Sequence, residues 1–353
     1  MQNDHGDQLA EYHALRDNVG VLDLSARSRL CLVGADRVRF LHGQVTNDIK
    51  KLRVGEGCYA AIVTAKGRME SDANIFVLQD EVLLDFEPGL AEKIARRLEK
   101  FIVADDVQIV DVAPHYGLLS VQGPKAEEVI GKLGWGERPR EPFAIVKVGD
   151  AAFGEIYLAS HERLGTNRKA GKRESGNKAE PPYVGCYGYD IFVSMNGFAA
   201  FKEKLIAAAK SVGGRECGEQ AFEIVRVENG VPRFGIDMDE TNLPLEAGIE
   251  SIAVSYNKGC YIGQEVINRI HSIGHVNKEL RSLKLADDLR SLPAKGDKLF
   301  KDGKEVGYIT SAAKSPSLGN IAMGYVRREV NQAGTELVLK TAGESLVKIG
   351  EVR

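Results

Sequence analysis

The run Asn257-Lys258-Gly259-Cys260-Tyr261-Ile262-Gly263-Gln264-Glu265 sets one cysteine between two glycines, directly ahead of a stretch patterned as a helix start. A thiol beside an ammonium and near the positive end of a helix is biased toward thiolate, the nucleophilic form. Gly259 and Gly263 remove side-chain bulk on either side, which would give a second molecule close access to the backbone. From spacing alone, the commoner state of such a cysteine is a buried small hydrophobe, with the glycines serving a turn. Lys258, Gln264, Glu265, Arg269, His271 and His275 stand around it. A helix over 263–270 places Glu265 and Arg269 four apart on one face, a weakly stabilising pair. It leaves His271 and His275 in a glycine-containing loop beyond. Cys260 and these histidines match no familiar ligand spacing, so no metal site is expected. A Cys–His nucleophilic pair would lack a third, orienting group.

The segment Lys258-Gly259-Cys260-Tyr261-Ile262-Gly263-Gln264-Glu265 resembles the K-G-C-[FY]-x-G-Q-E signature of the YgfZ-type folate-binding proteins, relatives of the glycine-cleavage T protein (aminomethyltransferase). The resemblance covers most of the chain. Val225-Arg226-Val227-Glu228-Asn229-Gly230 and Gly235-Ile236-Asp237 resemble the T-protein runs L-R-L-E-A-G and G-x-D, and Pro244-Leu245-Glu246-Ala247-Gly248 resembles P-x-E-A-G. Phe40-Leu41, with Thr46-Asn47-Asp48, is similar to F-L-x-x-x-x-T-N-D, and Gln122-Gly123-Pro124 to Q-G-P. Thr310-Ser311 and Ser315-Pro316 look like the T-S and S-P of the last T-protein domain.

The resemblance implies tetrahydrofolate, or a one-carbon derivative, as the bound cofactor. Gly185-Cys186-Tyr187-Gly188-Tyr189-Asp190-Ile191 is similar to G-E-D-G-F-E-I, whose second acid contacts the pterin, and Asp190 takes that place. A carboxylate suits the task because the 2-amino and N3–H edge of a pterin offers two parallel donors. Arg226 matches an arginine that helps to form the folate site, and Lys258 and Gln264 are assigned to the same site through the signature. Without the motifs, a strand aspartate and a helix arginine are more often surface groups or structural pairs. The family carries two adjacent acids where this chain has Gly67-Arg68-Met69-Glu70-Ser71-Asp72, ahead of a strand, and Ser71 stands in place of one. Aminomethyl transfer needs a carboxylate beside the reacting folate nitrogen. Asp72 is the remaining candidate, and together with Cys260 it makes up the expected catalytic set.

These residues need a scaffold. Residues 28–33 read as a strand, with Asp36 capping a short helix that contains Val38, Phe40 and Leu41. Residues 58–64 and 73–78 read as paired strands about a turn at Lys66-Gly67-Arg68, and 82–86 continues the β pattern. Ile94, Leu98 and Phe101 mark an amphipathic helix over 90–101. Strands follow at 107–112 and 116–121, and Gly123-Pro124 opens a helix with its proline in the first turn. Residues 161–182 are polar and rich in Gly, Lys and Arg, a composition expected of a mobile surface loop with solvated charges. A strand at 190–194 and a helix at 197–209 come next. Residues from about 280 onward are short β runs with turns at Asp302-Gly303 and Ala342-Gly343. The alternation lacks strict βαβ order, so the class is α+β. The resemblance implies a T-protein-like body over 1–279 and a small C-terminal β-barrel over 280–353.

The 353 residues, 43% hydrophobic and 27% charged, are enough for two or three domains. A net charge of −3 gives no global field for polyanions, so direct nucleic-acid binding is not expected, although the basic residues of 161–182 leave a tRNA contact as an alternative. The acidic N-terminus has no signal-like apolar core, no apolar run reaches membrane-spanning length, and the five cysteines are scattered without a C-x-x-C pair. A reducing cytoplasm is the expected setting. YgfZ-type proteins support iron–sulfur enzymes, including tRNA-modifying ones, so the resemblance implies a folate-binding accessory factor with iron–sulfur client proteins. The rival readings are a folate-dependent aminomethyl- or methyltransferase acting on a small amine, and a tRNA-binding protein.

Overall fold

The computed structural model describes residues 4–136, 138–150, 152–165, 188–340 and 344–350. The elements are α1 (Asp4–Asp17), β1 (Gly20–Asp23), β2 (Ser28–Val33), α2 (Arg37–His42), β3 (Gly57–Val63), β4 (Met69–Val77), β5 (Glu81–Phe86), α3 (Ala91–Glu99) and β6 (Gln108–Asp111). Next come β7 (Tyr116–Gln122), α4 (Ala126–Lys132), β8 (Ile145–Asp150), β9 (Gly154–Ser160), β10 (Gly188–Ser194), α5 (Phe198–Ser211), β11 (Arg215–Glu216), α6 (Glu219–Glu228), α7 (Glu250–Ala253) and α8 (Gln264–Ile273). The chain ends with β12 (Lys278–Leu285), β13 (Lys298–Lys301), β14 (Lys304–Ser315), β15 (Gly319–Arg327), β16 (Glu336–Lys340) and β17 (Glu344–Ile349).

They fall into two compact units. The first takes Met1–Phe40, Lys51–Cys58 and Asn74–Val225, the second Leu41–Lys50, Tyr59–Ala73 and Arg226–Arg353. In the first unit a six-stranded sheet runs β11-β1-β7-β10-β9-β8. The strand period of two decides its packing. Tyr189, Ile191 and Val193 of β10 pack on Val129 and Ile130 of α4 and Phe201 and Leu205 of α5. The intervening Phe192 points the other way, with Leu118 and Ala159, onto Cys31, Phe76 and Leu83 of the second sheet, ordered β3-β4-β5-β2-β6. Asp190 lies on that inward face between the sheets.

In the second unit six strands close a barrel in the order β12-β15-β14-β13-β16-β17, filled by Leu283, Leu285, Leu299, Ile309, Val326, Leu339 and Val347. Asp302 and Gly303 turn β13 into β14 with φ of 49° and 75°, the double left-handed turn that Asp-Gly favours.

Most expected elements are present, with several differences. The amphipathic helix is shorter, Ala91–Glu99, and buries Ile94 and Leu98. Pro124 precedes α4 rather than sitting in its first turn, because Lys125 is the cap and Ala126 the first helical residue. Asp36 starts α2 through its carbonyl, which accepts the Phe40 N–H, while its carboxylate takes the Asp106 N–H. His271 lies within α8 rather than beyond it. Helix α1 and the β8–β9 hairpin were not anticipated. The expected turn at Ala342-Gly343 lies outside the described residues. So do residues 166–182 of the expected mobile loop, while its first residues, 161–165, are described and include buried Arg163 and Leu164. Among the described residues no helix is long and apolar enough to cross a membrane.

Candidate functional site

Asp190 has no exposed surface, and its carboxylate is held from three directions. Its strand neighbour across the β7–β10 ladder is Ser120, whose hydroxyl donates to Oδ1 at 2.7 Å. Leaving β9, the chain brings His161 Nδ1 to 2.7 Å from Oδ2 and then turns Arg163 inward. The Arg163 guanidinium donates Nε–H to Oδ1 at 2.9 Å and Nη2–H to Oδ2 at 2.6 Å, a two-pronged fork. Gln122 locks this segment by accepting the Arg163 N–H and donating to the His161 carbonyl, both at 2.9 Å.

Arg163 also reaches the second sheet, where Nη2 donates to Asp85 Oδ2 at 2.8 Å. Asp85 in turn receives Arg27 Nε and Asn74 Nδ2, and Arg27 extends to Glu87. Burial would raise both aspartates, but Arg27 and Arg163 hold Asp85, and Arg163 and His161 hold Asp190, below the ordinary carboxylate range. Burial, followed by the Arg163 charge, lowers His161. At neutral pH the imidazole is therefore neutral and donates Nδ1–H to ionised Asp190.

Arg226 belongs to the second unit and is equally enclosed. It donates to Asp237 Oδ2 at 2.7 Å, to the Val231 carbonyl at 3.0 Å and to Ser311 Oγ at 2.9 Å. The hydroxyls of Thr310 and Ser311 both donate to Asp237 Oδ1 at 2.6 Å. The Ser315 hydroxyl donates to Glu228 on α6. Arg226, Asp237, Thr310 and Ser311 thus form one buried network, and Glu228 with Ser315 makes a separate bond, both tying the end of α6 to β14. Asp190 and Arg226 lie in different units, and each is an internal ion pair.

Lys258 is turned away from the thiol it was expected to activate. Its ammonium is buried and donates to the carbonyls of His42, Val45 and Asn47 at 2.6, 2.6 and 2.8 Å, using all three of its donors. Cys260 itself is exposed, in contrast to buried Cys31 and Cys217. Gln264 opens α8 behind Gly263, whose φ is +84°. A Cβ on Gly263 would lie 2.5 Å from the Thr64 carbonyl, whereas one on Gly259 would meet His42 at an ordinary 3.7 Å. Gly263 therefore serves packing within the chain, and Gly259 is the position that leaves space. His271 stacks on Tyr256 with ring centroids 3.8 Å apart and pairs with Glu250 at 2.6 Å, so it is not oriented as a partner for the cysteine.

Ser71 and Asp72 lie inside β4, not ahead of it. Ser71 has no exposed surface and donates to the Asp72 carbonyl at 2.8 Å. The Asp72 carboxylate is nearly buried and accepts the Tyr59 hydroxyl at 2.6 Å.

Two family models match this chain. The GCVT N-terminal domain covers residues 2–159 and 181–258, and the glycine cleavage T-protein C-terminal barrel domain covers 278–349. The chain belongs to the glycine cleavage T-protein family. An aminomethyltransferase of Halalkalibacterium halodurans is 27% identical over 96% of this chain and 86% of its own length. A chloroplast transferase-like protein of Arabidopsis thaliana is 28% identical over 94% of this chain and 70% of its own. The crystal structure of the glycine cleavage system aminomethyltransferase T of Bartonella henselae superposes with a TM-score of 0.82, at 21% identity, over 98% of this chain and 88% of that one. The α+β T-protein fold with its closed C-terminal barrel is thereby established.

The sequence did not single out Arg163, His161, Asp85, Arg27 or Tyr59. Ser120 and Gln122 carried a weak signal, since they are the polar members of an alternating strand, on the same face as Asp190. His161 and Arg163 carried none, because they begin a run whose composition is that of a solvated loop.

Proposed function

We infer that this protein binds tetrahydrofolate, or a one-carbon derivative of it, and acts as a YgfZ-type accessory factor for iron–sulfur proteins, including tRNA-modifying enzymes, rather than as an aminomethyl-transfer enzyme. The observation that carries this reading is the contrast between Cys260 and Ser71. The thiol of the K-G-C-Y-x-G-Q-E run stands exposed ahead of α8, where a client can reach it, while a buried serine occupies the place of a family acid. Family membership supports the folate ligand, and Asp190 supplies an ionised carboxylate at the position matched to the pterin-reading acid. Arg226 and Lys258 take a framework role, since both are engaged with internal partners within the second unit.

A cell lacking the gene tests the reading. The wild-type protein is expected to restore iron–sulfur enzyme activity, and Cys260→Ser to fold, bind tetrahydrofolate and fail to restore it. Alkylation in the native state should strike Cys260 before Cys31 and Cys217, whose thiols burial pushes up, that of Cys217 to about 12. Full rescue by Cys260→Ser would refute the role of the sulfur. The name shared by the bacterial relatives and the retained Asp72 favour a second reading, aminomethyl transfer to folate. Turnover with glycine-cleavage H-protein would establish it.

A further inference from the structure

The fork on Asp190 has the chemistry of a ligand. A pterin would present its 2-amino and N3–H groups as two parallel donors to a carboxylate, and Arg163 presents Nε–H and Nη2–H to the same two oxygens at 2.9 and 2.6 Å. Asp190 has no exposed surface, and Ser120 and His161 fill its remaining directions, so an incoming ring finds no acceptor available while Arg163 is in place. Arg163 is also anchored on a second carboxylate. Its Nη2 is also 2.8 Å from Asp85, a carboxylate shared with Arg27 and Asn74, so the guanidinium can leave Asp190 without losing its charge partner.

We propose that Arg163 is an internal stand-in for the ligand's donor edge, so that a folate enters by exchange, displacing the Arg163 fork from Asp190 onto Asp85. This rests on the folate reading above and adds a specificity device to it. Only a ligand carrying two parallel donors replaces what Arg163 provides, because an ionised carboxylate left buried without donors is strongly disfavoured. The intrinsic affinity of the open site is reduced by the small fraction of molecules in which the fork is released.

The test compares wild type, Arg163→Lys and Arg163→Met by calorimetric titration with tetrahydrofolate. Lysine keeps a positive charge between the two aspartates and so protects folding, but cannot form the fork. Both variants are expected to bind tighter than wild type, by about tenfold or more. Wild-type binding with equal or weaker binding by both variants would overturn the exchange while leaving the folate reading intact. Absence of binding by all three proteins would instead refute the folate reading. A second measurement needs no variant. On adding tetrahydrofolate to wild type, hydrogen exchange at the His161 and Arg163 amides, held by the Gly188 carbonyl and by Gln122 Oε1, should accelerate as the segment is displaced. Slower exchange there in the complex would mean that Arg163 stays seated and the proposal is wrong.

Discussion

Arg226 and Asp237 form an ion pair at 2.7 Å in which neither side chain has any exposed surface. The pair satisfies itself through Ser311, Thr310 and the Val231 carbonyl, so it works as a fixed joint between the Asp237 turn and β14. Removing one member of such a pair strands the other charge, which costs more than the pair itself contributes. Arg226→Met is therefore expected to destabilise the protein by about 3–5 kcal/mol. Asp237→Asn should do the same, and the double variant should lose less than the sum of the two. Denaturant titration of the three proteins measures this. Additive losses would show that the two side chains act separately.

The same motif letters that identified the family turn out to be largely architectural. Arg226, Glu228, Asp237, Thr310, Ser311 and Ser315 recur in T-protein-like runs, and the structure gives each a buried partner. Thr46 is another example, since its hydroxyl donates to the Ala253 carbonyl and accepts the Ala61 N–H. Motif matching therefore recovered the fold and the order of its parts. It did not separate residues that touch a ligand from residues that hold the frame, because both are fixed by type and spacing. The partners of Asp190 were illegible for a different reason. Arg163 and His161 begin a basic, glycine-rich run, and only the pairing of β9 with β10 brings them to a carboxylate 27 and 29 positions away.

The cluster around Asp190 should set the acid limit of stability, in two windows. His161 has a lowered folded pKa, caused first by burial and then by Arg163, so its contribution is fully present above the ordinary histidine value of about 6.5 and is lost as pH falls below it. Asp85 and Asp190, held low by their arginines against the effect of burial, contribute above the ordinary carboxylate value of about 4 and lose that contribution as pH falls further. His42, also lowered by burial and then by Lys258, adds to the first window. The melting temperature should therefore drop in two stages on acidification. His161→Asn should reduce the first stage, while the second persists through Asp85 and the Arg163 fork on Asp190. A melting temperature unchanged between pH 7 and 5 in wild type would show that these histidines are not held neutral.

The two glycines that flank Cys260 should respond in opposite ways. Gly263 has φ +84° and a carbonyl, Thr64 O, at 2.5 Å from where a Cβ would lie, so Gly263→Ala combines left-handed strain with a backbone clash. It is expected to cost about 2 kcal/mol or more, since the strain alone is about 1–2 kcal/mol. Gly259 meets only His42 Nε2, at 3.7 Å, so Gly259→Ala should fold normally. If it also slows alkylation of Cys260, the open space at 259 serves access to the thiol. Equal stability of the two variants would contradict the packing assigned to Gly263.

Ser71→Asp restores on paper the second acid of the family pair, but the site is not ready to receive it. Ser71 is fully enclosed in β4, donates to the neighbouring Asp72 carbonyl, and precedes a carboxylate already bound by Tyr59. A carboxylate there would be buried without a cation among its observed partners, and it would lack the O–H that now donates to the Asp72 carbonyl. Such changes cost about 2–4 kcal/mol or shift the new acid to its neutral form. The variant is therefore expected to be less stable than wild type and still inactive in aminomethyl transfer with glycine-cleavage H-protein. Measured methylene-tetrahydrofolate formation by Ser71→Asp, absent in wild type, would show that the missing acid alone separates this chain from a transferase. It would also move the proposed function to the second reading.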